Sequence, residues 1–366
     1  MHLESIALSF VSGLSCRAMR LLLDIYGSPK DIYQLPSKEL REAMPRNKAI
    51  AQAIIDKSTF ARAEQELLFC EKHHITPLFC TDKAYPQRLN LPGSEDTPPL
   101  LYSMGNTNLN AKKVVAVVGT RRATEYGKEM TEKLIADFQG QDILVVSGLA
   151  YGIDTMAHTA SLSNHLPTVG VVAHGFDQLY PPQNRNLAKQ MLQDGSGLIT
   201  EYPSYTKIHP SYFPARNRII AALSDAVVVV EAGVKGGALI TANLANGYHR
   251  EVFAFPGRVG DKYSEGSNRI ISTNKAALIQ SGNDLFELMC WEKKEPSEKS
   301  QQTKMLLDLS ADETIIYNLL SQHETLAIEE TITLCELGMP RIAAAFLNLE
   351  LKDVCRCLPG KRYKLR

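Results

Sequence analysis
Three apolar, β-branched runs in this chain each end in a glycine-containing turn, and those turns carry residue types that grip phosphate. Val114-Val115-Ala116-Val117-Val118 leads into Gly119, Thr120, Arg121 and Arg122. Ile143-Leu144-Val145-Val146 leads into Ser147 and Gly148, then Gly152, Ile153 and Asp154. Ala226-Val227-Val228-Val229-Val230-Glu231 leads toward Gly236, Gly237 and then Thr241. Glycine lets backbone amides approach an anion closely, and a following helix N-terminus adds positive field. An arginine in such a turn can hold a phosphate through two parallel hydrogen bonds. A phosphate-rich ligand is the chemistry implied.

Each candidate also has a plainer role. Arg121 and Arg122 either contact phosphate or pair with a helix carboxylate such as Glu125. Ser147 and Gly148 offer a hydroxyl and amides as an oxygen cradle. Asp154 reads as the N-cap of the next helix. It also lies four residues before His158 on one helical face, where a structural Asp–His hydrogen bond is a simpler reading than an acid–base pair. In Phe213-Pro214-Ala215-Arg216-Asn217-Arg218 the two arginines point to different sides of a helix. One can hold ligand while the other braces the fold or a neighbouring phosphate. Phe213 either stacks on a base or packs inward. Lys207 and His209 are the cations of the loop before it.

Several chemistries lack their signatures. The first strand is not followed by Gly-x-Gly-x-x-Gly, and there is no Walker A lysine, Gly-x-Ser-x-Gly elbow or His-Glu-x-x-His. Cys355-Arg356-Cys357 is the one close cysteine pair and has no second Cys or His pair at zinc spacing, so no metal is expected. No cofactor is implied, and the expectation is a protein that is not an enzyme.

The elements that must hold these turns follow from periodicity. Continuous apolar runs read as strands buried on both faces, the pattern of a parallel sheet whose strand-to-helix turns share one edge. Strands are predicted at 75–79, 98–102, 114–118, 142–147, 168–173, 197–201, 226–231 and 251–255, with helices between. The fold class is therefore α/β, an extended Rossmann-like doubly wound sheet with extra strands. Residues 1–58 read as short helices broken at Gly13 and Gly27, resembling a SAM or helix-hairpin-helix module. The sheet domain covers 59–291, and the polar stretch 292–304 reads as a linker. Residues 305–366 supply three helices and a hairpin turning at Pro359-Gly360, the pattern of a winged helix.

Bulk properties set limits. The chain has 366 residues, 44% of them hydrophobic, enough for two or three domains. Forty basic and forty acidic residues cancel, so nucleic-acid binding must come from a local patch. Seven scattered cysteines suggest a reducing compartment, and no apolar run reaches the roughly 20 residues that span a bilayer. A cytoplasmic location is expected.

In order along the central domain, Val118-Gly119-Thr120-Arg121, Ser147-Gly148-Leu149-Ala150, Gly152-Ile153-Asp154, Tyr180-Pro181, Thr200-Glu201-Tyr202-Pro203, Phe213-Pro214, Arg216-Asn217-Arg218, Gly236-Gly237-Ala238 and Phe255-Pro256-Gly257 resemble the DNA-processing protein A (DprA/Smf) family. The resemblance implies a homodimer that binds single-stranded DNA, protects incoming DNA and loads the recombinase RecA during natural transformation. It implies that Arg121 holds a phosphate, that Phe213 touches a base, and that Ser147, Gly148, Gly236 and Gly237 give close backbone contacts. Tyr151 stands where many relatives have arginine. Two rival readings are a nucleotide-processing enzyme of the phosphoribohydrolase type using Glu231, and a winged-helix regulator contacting DNA through Arg356, Lys361, Arg362, Lys364 and Arg366.

Overall fold
In the computed structural model, β3 (Lys113–Val118), β4 (Ile143–Ser147), β5 (Thr168–Val171) and β6 (Gly197–Thr200) run parallel on one side of the sheet. On the other side of β3 lie β7 (Ala226–Val229), β8 (Glu251–Ala254) and β9 (Ala277–Leu278), also parallel. The structure describes residues 3–45, 47–90, 96–293, 309–323, 325–335, 337–352, 354–358 and 362–365. The remaining strands, β1 (Ile75–Phe79) and β2 (Leu100–Gly105), extend the far edge, giving the order β1-β2-β6-β5-β4-β3-β7-β8-β9. β2 is antiparallel to β6 and to β1, so the sheet is mixed. The extra strands expected from length are these two, and the two-residue β9 carried too few residues to be read from the sequence.

Alternation within the strands sends neighbouring side chains to opposite layers. Val114, Ala116 and Val118 join one apolar cluster with Val227 and Val229, while Val115 and Val117 join another with Val145 and Val228. Helices α10 (Tyr212–Leu223) and α11 (Gly237–Gly247) cover the first layer; α7 (Glu125–Asp137) and α8 (Ile153–Ser163) cover the second. Burial on both faces is why these strands read as unbroken apolar runs.

Helices α1 (Leu3–Ser9), α2 (Cys16–Tyr26), α3 (Pro29–Gln34), α4 (Ser37–Ala43) and α5 (Lys48–Ile55) precede α6 (Phe60–Lys72). Gly13 and Gly27, where breaks were expected, both have positive φ (81° and 90°). Ile6, Leu8, Met19 and Ile54 share one cluster with Ile75, Phe79, Leu100 and Tyr102 of β1 and β2. Residues Met1–Lys294 accordingly form one compact unit, with no contact break near residue 58.

Glu295–Arg366 is a second unit. Its helices Ala311–Gln322, Ile328–Leu334 and Met339–Leu351 pack on a sheet of order β10-β12-β11, made by Leu326–Ala327, Arg362–Leu365 and Cys355–Leu358. Three helices and a small antiparallel sheet define a winged helix. Arg362 donates to Glu330 at 2.8 and 2.9 Å. That basic residue is therefore engaged within its own unit. Residues 294–304 of the expected linker, Pro359-Gly360, Lys361 and Arg366 lie outside the described residues. Among the described residues no single helix is long and apolar enough to cross a membrane, and no His/Cys/Asp/Glu group has the makings of a metal site.

His158 on α8 is fully buried, and its Nδ1 lies 2.7 Å from the Thr168 hydroxyl. That hydroxyl donates its one proton to the Val145 carbonyl at 3.0 Å, so Nδ1 must carry hydrogen and donate to Thr168. Nε2 is left without a partner among the described residues. Burial, then the nearby Arg216 charge, pushes the imidazole down to about 3. The unfolded imidazole takes up a proton below about pH 6.5 and the native one does not, so acid favours unfolding across that window. Stability should fall by about 2 kcal/mol from this group between pH 7 and pH 5. Urea midpoints at the two pH values, wild type against His158→Leu, measure it; an equal acid drop in both would refute the assignment.

Candidate nucleic-acid interface
The chain leaves β3 toward β4 and leaves β7 toward β8, on opposite sides of the β3–β7 pair. Outside the carboxyl ends of such a pair a crevice opens, the customary ligand position in open α/β sheets. Here it is a cavity of about 670 Å³. The loop after β3 lines it with Gly119, Thr120, Arg121 and Arg122; the start of α11 with Gly236, Gly237 and Thr241; and α10 with Phe213, Arg216 and Asn217. Seven residues from the first and third glycine turns thus meet in one place.

The aromatic and the arginine form a unit. The Arg121 guanidinium lies 5.5 Å from the Phe213 ring centroid, within cation–π range. Tyr180 meets that ring edge-on, the centroids 5.4 Å apart. Arg121 and Arg122 are exposed, and Phe213 is half-buried. Tyr180 entered the sequence reading only through the family resemblance; a lone Tyr-Pro has no period or spacing that reports a ring on another ring.

The amides are fewer than the glycines suggest. Thr120 donates its amide to the Glu231 carbonyl at 2.7 Å, and Arg122 donates to the Thr120 hydroxyl at 3.1 Å. Gly236 donates to the Gly233 carbonyl at 3.0 Å. Helix geometry leaves the amides of Gly237 and Ala238, first in α11, without an intrahelical acceptor. Both residues line the cavity.

The second turn serves a different purpose from the one expected. Ser147 is buried and donates its hydroxyl to the Val117 carbonyl at 2.7 Å, so it cannot cradle a ligand. Gly148 and Ala150 donate their amides to the Asp154 carboxylate at 3.1 and 3.3 Å. The Gly148 carbonyl accepts from Arg216 at 2.7 Å, and so does the Val171 carbonyl. A Cβ on Gly148 would sit 2.6 Å from both Arg216 Nη2 and Asp154 Oδ2, so only glycine leaves room for the two charges. Asp154 is therefore not the N-cap, which is Gly152, and it does not bond His158.

The α10 arginines also depart from expectation. Arg216 is 3% exposed and braces the cavity floor rather than reaching into solvent. Burial lowers its guanidinium to about 10, partly opposed by Asp154, whose own carboxyl burial raises. Arg218 pairs with Glu201 at 2.6 Å and lies outside the cavity lining. Lys207 is exposed on the loop between β6 and α10, also outside that lining. Tyr151 is exposed, and its hydroxyl meets Gln183.

A second cavity of about 800 Å³ lies beyond Thr124. Its carboxylates Glu125, Glu231 and Asp261 outnumber its cations Arg258 and Lys262, which suits a polyanion poorly. Glu231 accepts from the Thr124 amide at 2.9 Å and the Thr124 hydroxyl at 2.7 Å. Both oxygens thus hold the start of α7.

The fold and site define an open α/β sheet with a cationic, aromatic-edged crevice at its switch point. Residues 76–290 match the family model of DNA recombination-mediator protein A, and residues 298–361 match that of the DprA winged helix domain. The chain belongs to the DNA recombination-mediator protein A family. It is 42% identical over 193 residues to DNA processing protein DprA of Bacillus subtilis, covering 52% of this chain and 64% of that one. Protein Smf of Synechocystis is 33% identical over 334 residues, covering 81% and 83%. The X-ray structure of DNA processing protein A from Streptococcus pneumoniae superposes with a TM-score of 0.66 at 32% identity, covering 80% of this chain and 99% of that one. That of the Helicobacter pylori protein, described for its single-stranded DNA binding mode, gives 0.53 at 28% identity, covering 59% and 95%.

Replacing Arg216 by methionine removes a buried cation that bonds the Gly148 and Val171 carbonyls and offsets the buried charge of Asp154. A loss of about 3–5 kcal/mol in chemical denaturation is expected. Adding Asp154→Asn should recover part of it, and a single variant as stable as wild type would show that the brace has no such role.

Proposed function
We propose that this chain is a single-stranded-DNA-binding recombination mediator, and that the cavity between β3 and β7 is where it takes the strand. The observation that carries the reading is the Arg121 guanidinium poised over Phe213 at the cavity wall. A cation for phosphate beside a ring for a base is what sequence-tolerant single-strand binding requires. Gly119, Thr120, Arg122, Gly236, Gly237 and Thr241 complete the wall, with Lys207 as an outlying cation. The chain's neutral net charge agrees with a grip that is local.

The protein acts as a binder in this reading rather than as an enzyme. The Glu231 carboxylate, which a phosphoribohydrolase reading would use, is tied to Thr124. His158 is sealed in the core. In the full proposal a cytoplasmic homodimer protects incoming single strands and loads RecA on them during natural transformation. Its parts are a helical module at 1–58, the DNA-binding sheet at 59–291, a linker at 292–304 and the winged helix at 305–366. Support for self-association comes from the sheet's edge: both β9 residues are exposed, Leu278 among them, and β9 has no further strand partner among the described residues. Such an edge with an exposed leucine is a template for a second copy.

Titrating labelled oligothymidylate at several salt concentrations tests the binding reading. Arg121→Ala should weaken binding about tenfold and lower the salt slope by about 0.7, the value of one phosphate contact on a single strand. Phe213→Ala should weaken it by a similar factor without changing the slope, because stacking releases no counterions. Equal affinity for duplex, or unaltered binding by Arg121→Ala, would end the proposal. Light scattering addresses the edge separately: Leu278→Glu should halve the mass of a dimeric wild type.

A further inference from the structure
The loop joining β6 to α10 carries the outlying cation Lys207, contributes Pro210 to the cavity wall, and leads into Phe213 in the first turn of α10. Its shape is held by a helix that precedes the first strand, α6. Glu66 of α6, only 1% exposed, accepts from the Ser204 amide at 2.9 Å and the Ser204 hydroxyl at 2.5 Å. Arg62, one turn earlier on α6, donates to Glu66 at 2.8 Å and to the Ser204 carbonyl at 2.8 Å. Every polar group of Ser204 is thereby engaged by one helix. The Arg62 guanidinium lies 5.2 Å from the Phe10 ring, which ties the clamp to the N-terminal helices.

The next residue shows why a clamp is needed. Tyr205 has φ of 63°, a left-handed conformation that a bulky side chain adopts only when its surroundings impose it. Its amide is held by Asp177 at 2.8 Å, its ring packs against Phe69 of α6 at 5.6 Å, and the Thr206 carbonyl accepts from Gln178 at 2.7 Å. Yet Tyr205 is 71% exposed, so the strained turn is not a by-product of burying it. An ion pair sunk in the protein is also a poor way to gain stability alone, since apolar replacements of similar volume often do as well.

We infer that Arg62 and Glu66 are positioning residues for the DNA-binding crevice: α6 fixes the strained turn at Ser204-Tyr205 so that Lys207, Pro210 and Phe213 are presented to the strand. Helix α6, backed by the N-terminal helices through the Arg62–Phe10 contact, is then part of the binding apparatus. This rests on the reading of the crevice as a single-strand site, and the test separates the two.

The full chain is compared with the double variant Arg62→Met, Glu66→Met, which keeps volume and leaves no unpaired buried charge, and with Thr59→Ala. The latter removes a hydrogen bond to the Ala7 carbonyl in the same segment without touching the loop. Hydrogen exchange of residues 203–211, measured without DNA, should speed up in the double variant and not in Thr59→Ala. Binding of oligothymidylate should weaken about tenfold, and the salt slope should fall by about 0.7 as Lys207 loses its phosphate. Lys207→Ala should lower the slope in the wild-type background and add nothing in the double variant. Unchanged loop exchange, or faster exchange with full affinity and slope, overturns the positioning role. If Arg121→Ala also binds as wild type, the failure belongs to the crevice reading and not to the clamp, which the exchange data judge independently.

Discussion
Asp154 and Arg216 each bond a single glycine, Gly148, and the carboxyl edge of the sheet is organised around that residue. Asp154 comes from the first turn of α8 and ties the amides of Gly148 and Ala150; Arg216 comes from α10 and ties the carbonyls at the ends of β4 and β5. Two layers of helices on opposite faces are thus joined through the strand ends they flank. The arrangement needs a residue without a side chain at position 148 and a turn that leaves the strand at once, which Gly152 permits with φ of 74°. A Cβ at Gly152 would meet the Thr120 carbonyl at 2.2 Å, so the second turn also abuts the first. The position of the exposed arginines is a consequence of this internal one.

A chain with no net charge can still present a strong local field if its opposite charges are disposed of elsewhere. Arg62 faces Glu66, Arg88 faces Asp225 at 2.7 Å, and Arg218 faces Glu201. Each of these pairs is half-buried or deeper and holds elements together. Arg121 and Arg122 stand instead on an exposed loop at the cavity mouth. Screening confines their influence to about a Debye length, roughly 8–10 Å at ordinary salt. Such a field favours a polyanion already touching the crevice over one at a distance, and salt must weaken it.

The sequence made the sheet legible because its strands are buried on both faces: Val114 to Val118 and Ala226 to Val230 admit few other readings. It also made the edge legible, since Gly119 and Arg121 lie where β3 stops and Gly237 where α11 begins. What it concealed was which polar group faces which. Ser147, Gly148 and Arg216 have the types and spacing of ligand contacts, and only three-dimensional proximity shows Ser147 engaged by Val117 and Arg216 by Gly148. Asp154 and His158 have helical spacing for a hydrogen bond, yet Thr168, from a different strand, is the partner His158 finds. The clamp at Glu66 was invisible for the same reason: 138 residues separate it from Ser204. Local pattern reports which face is buried, whereas pairing of polar groups is a long-range property.

The first turn also distinguishes this crevice from a nucleotide-cofactor site built on similar strands. There, glycines after the first strand direct free amides at a pyrophosphate, and the spacing of those amides demands a particular small ligand. Here the Thr120 amide is bonded to Glu231, the Arg122 amide to Thr120, and the loop offers guanidinium groups in their place. Long side chains tolerate a range of phosphate positions, and in the proposed reading the ring of Phe213 would accept any base by its face. The amides at the start of α11 can orient one phosphate but do not define a diphosphate. A site with a rigid floor, movable cations and one aromatic wall is better matched to successive units of a polymer than to one cofactor.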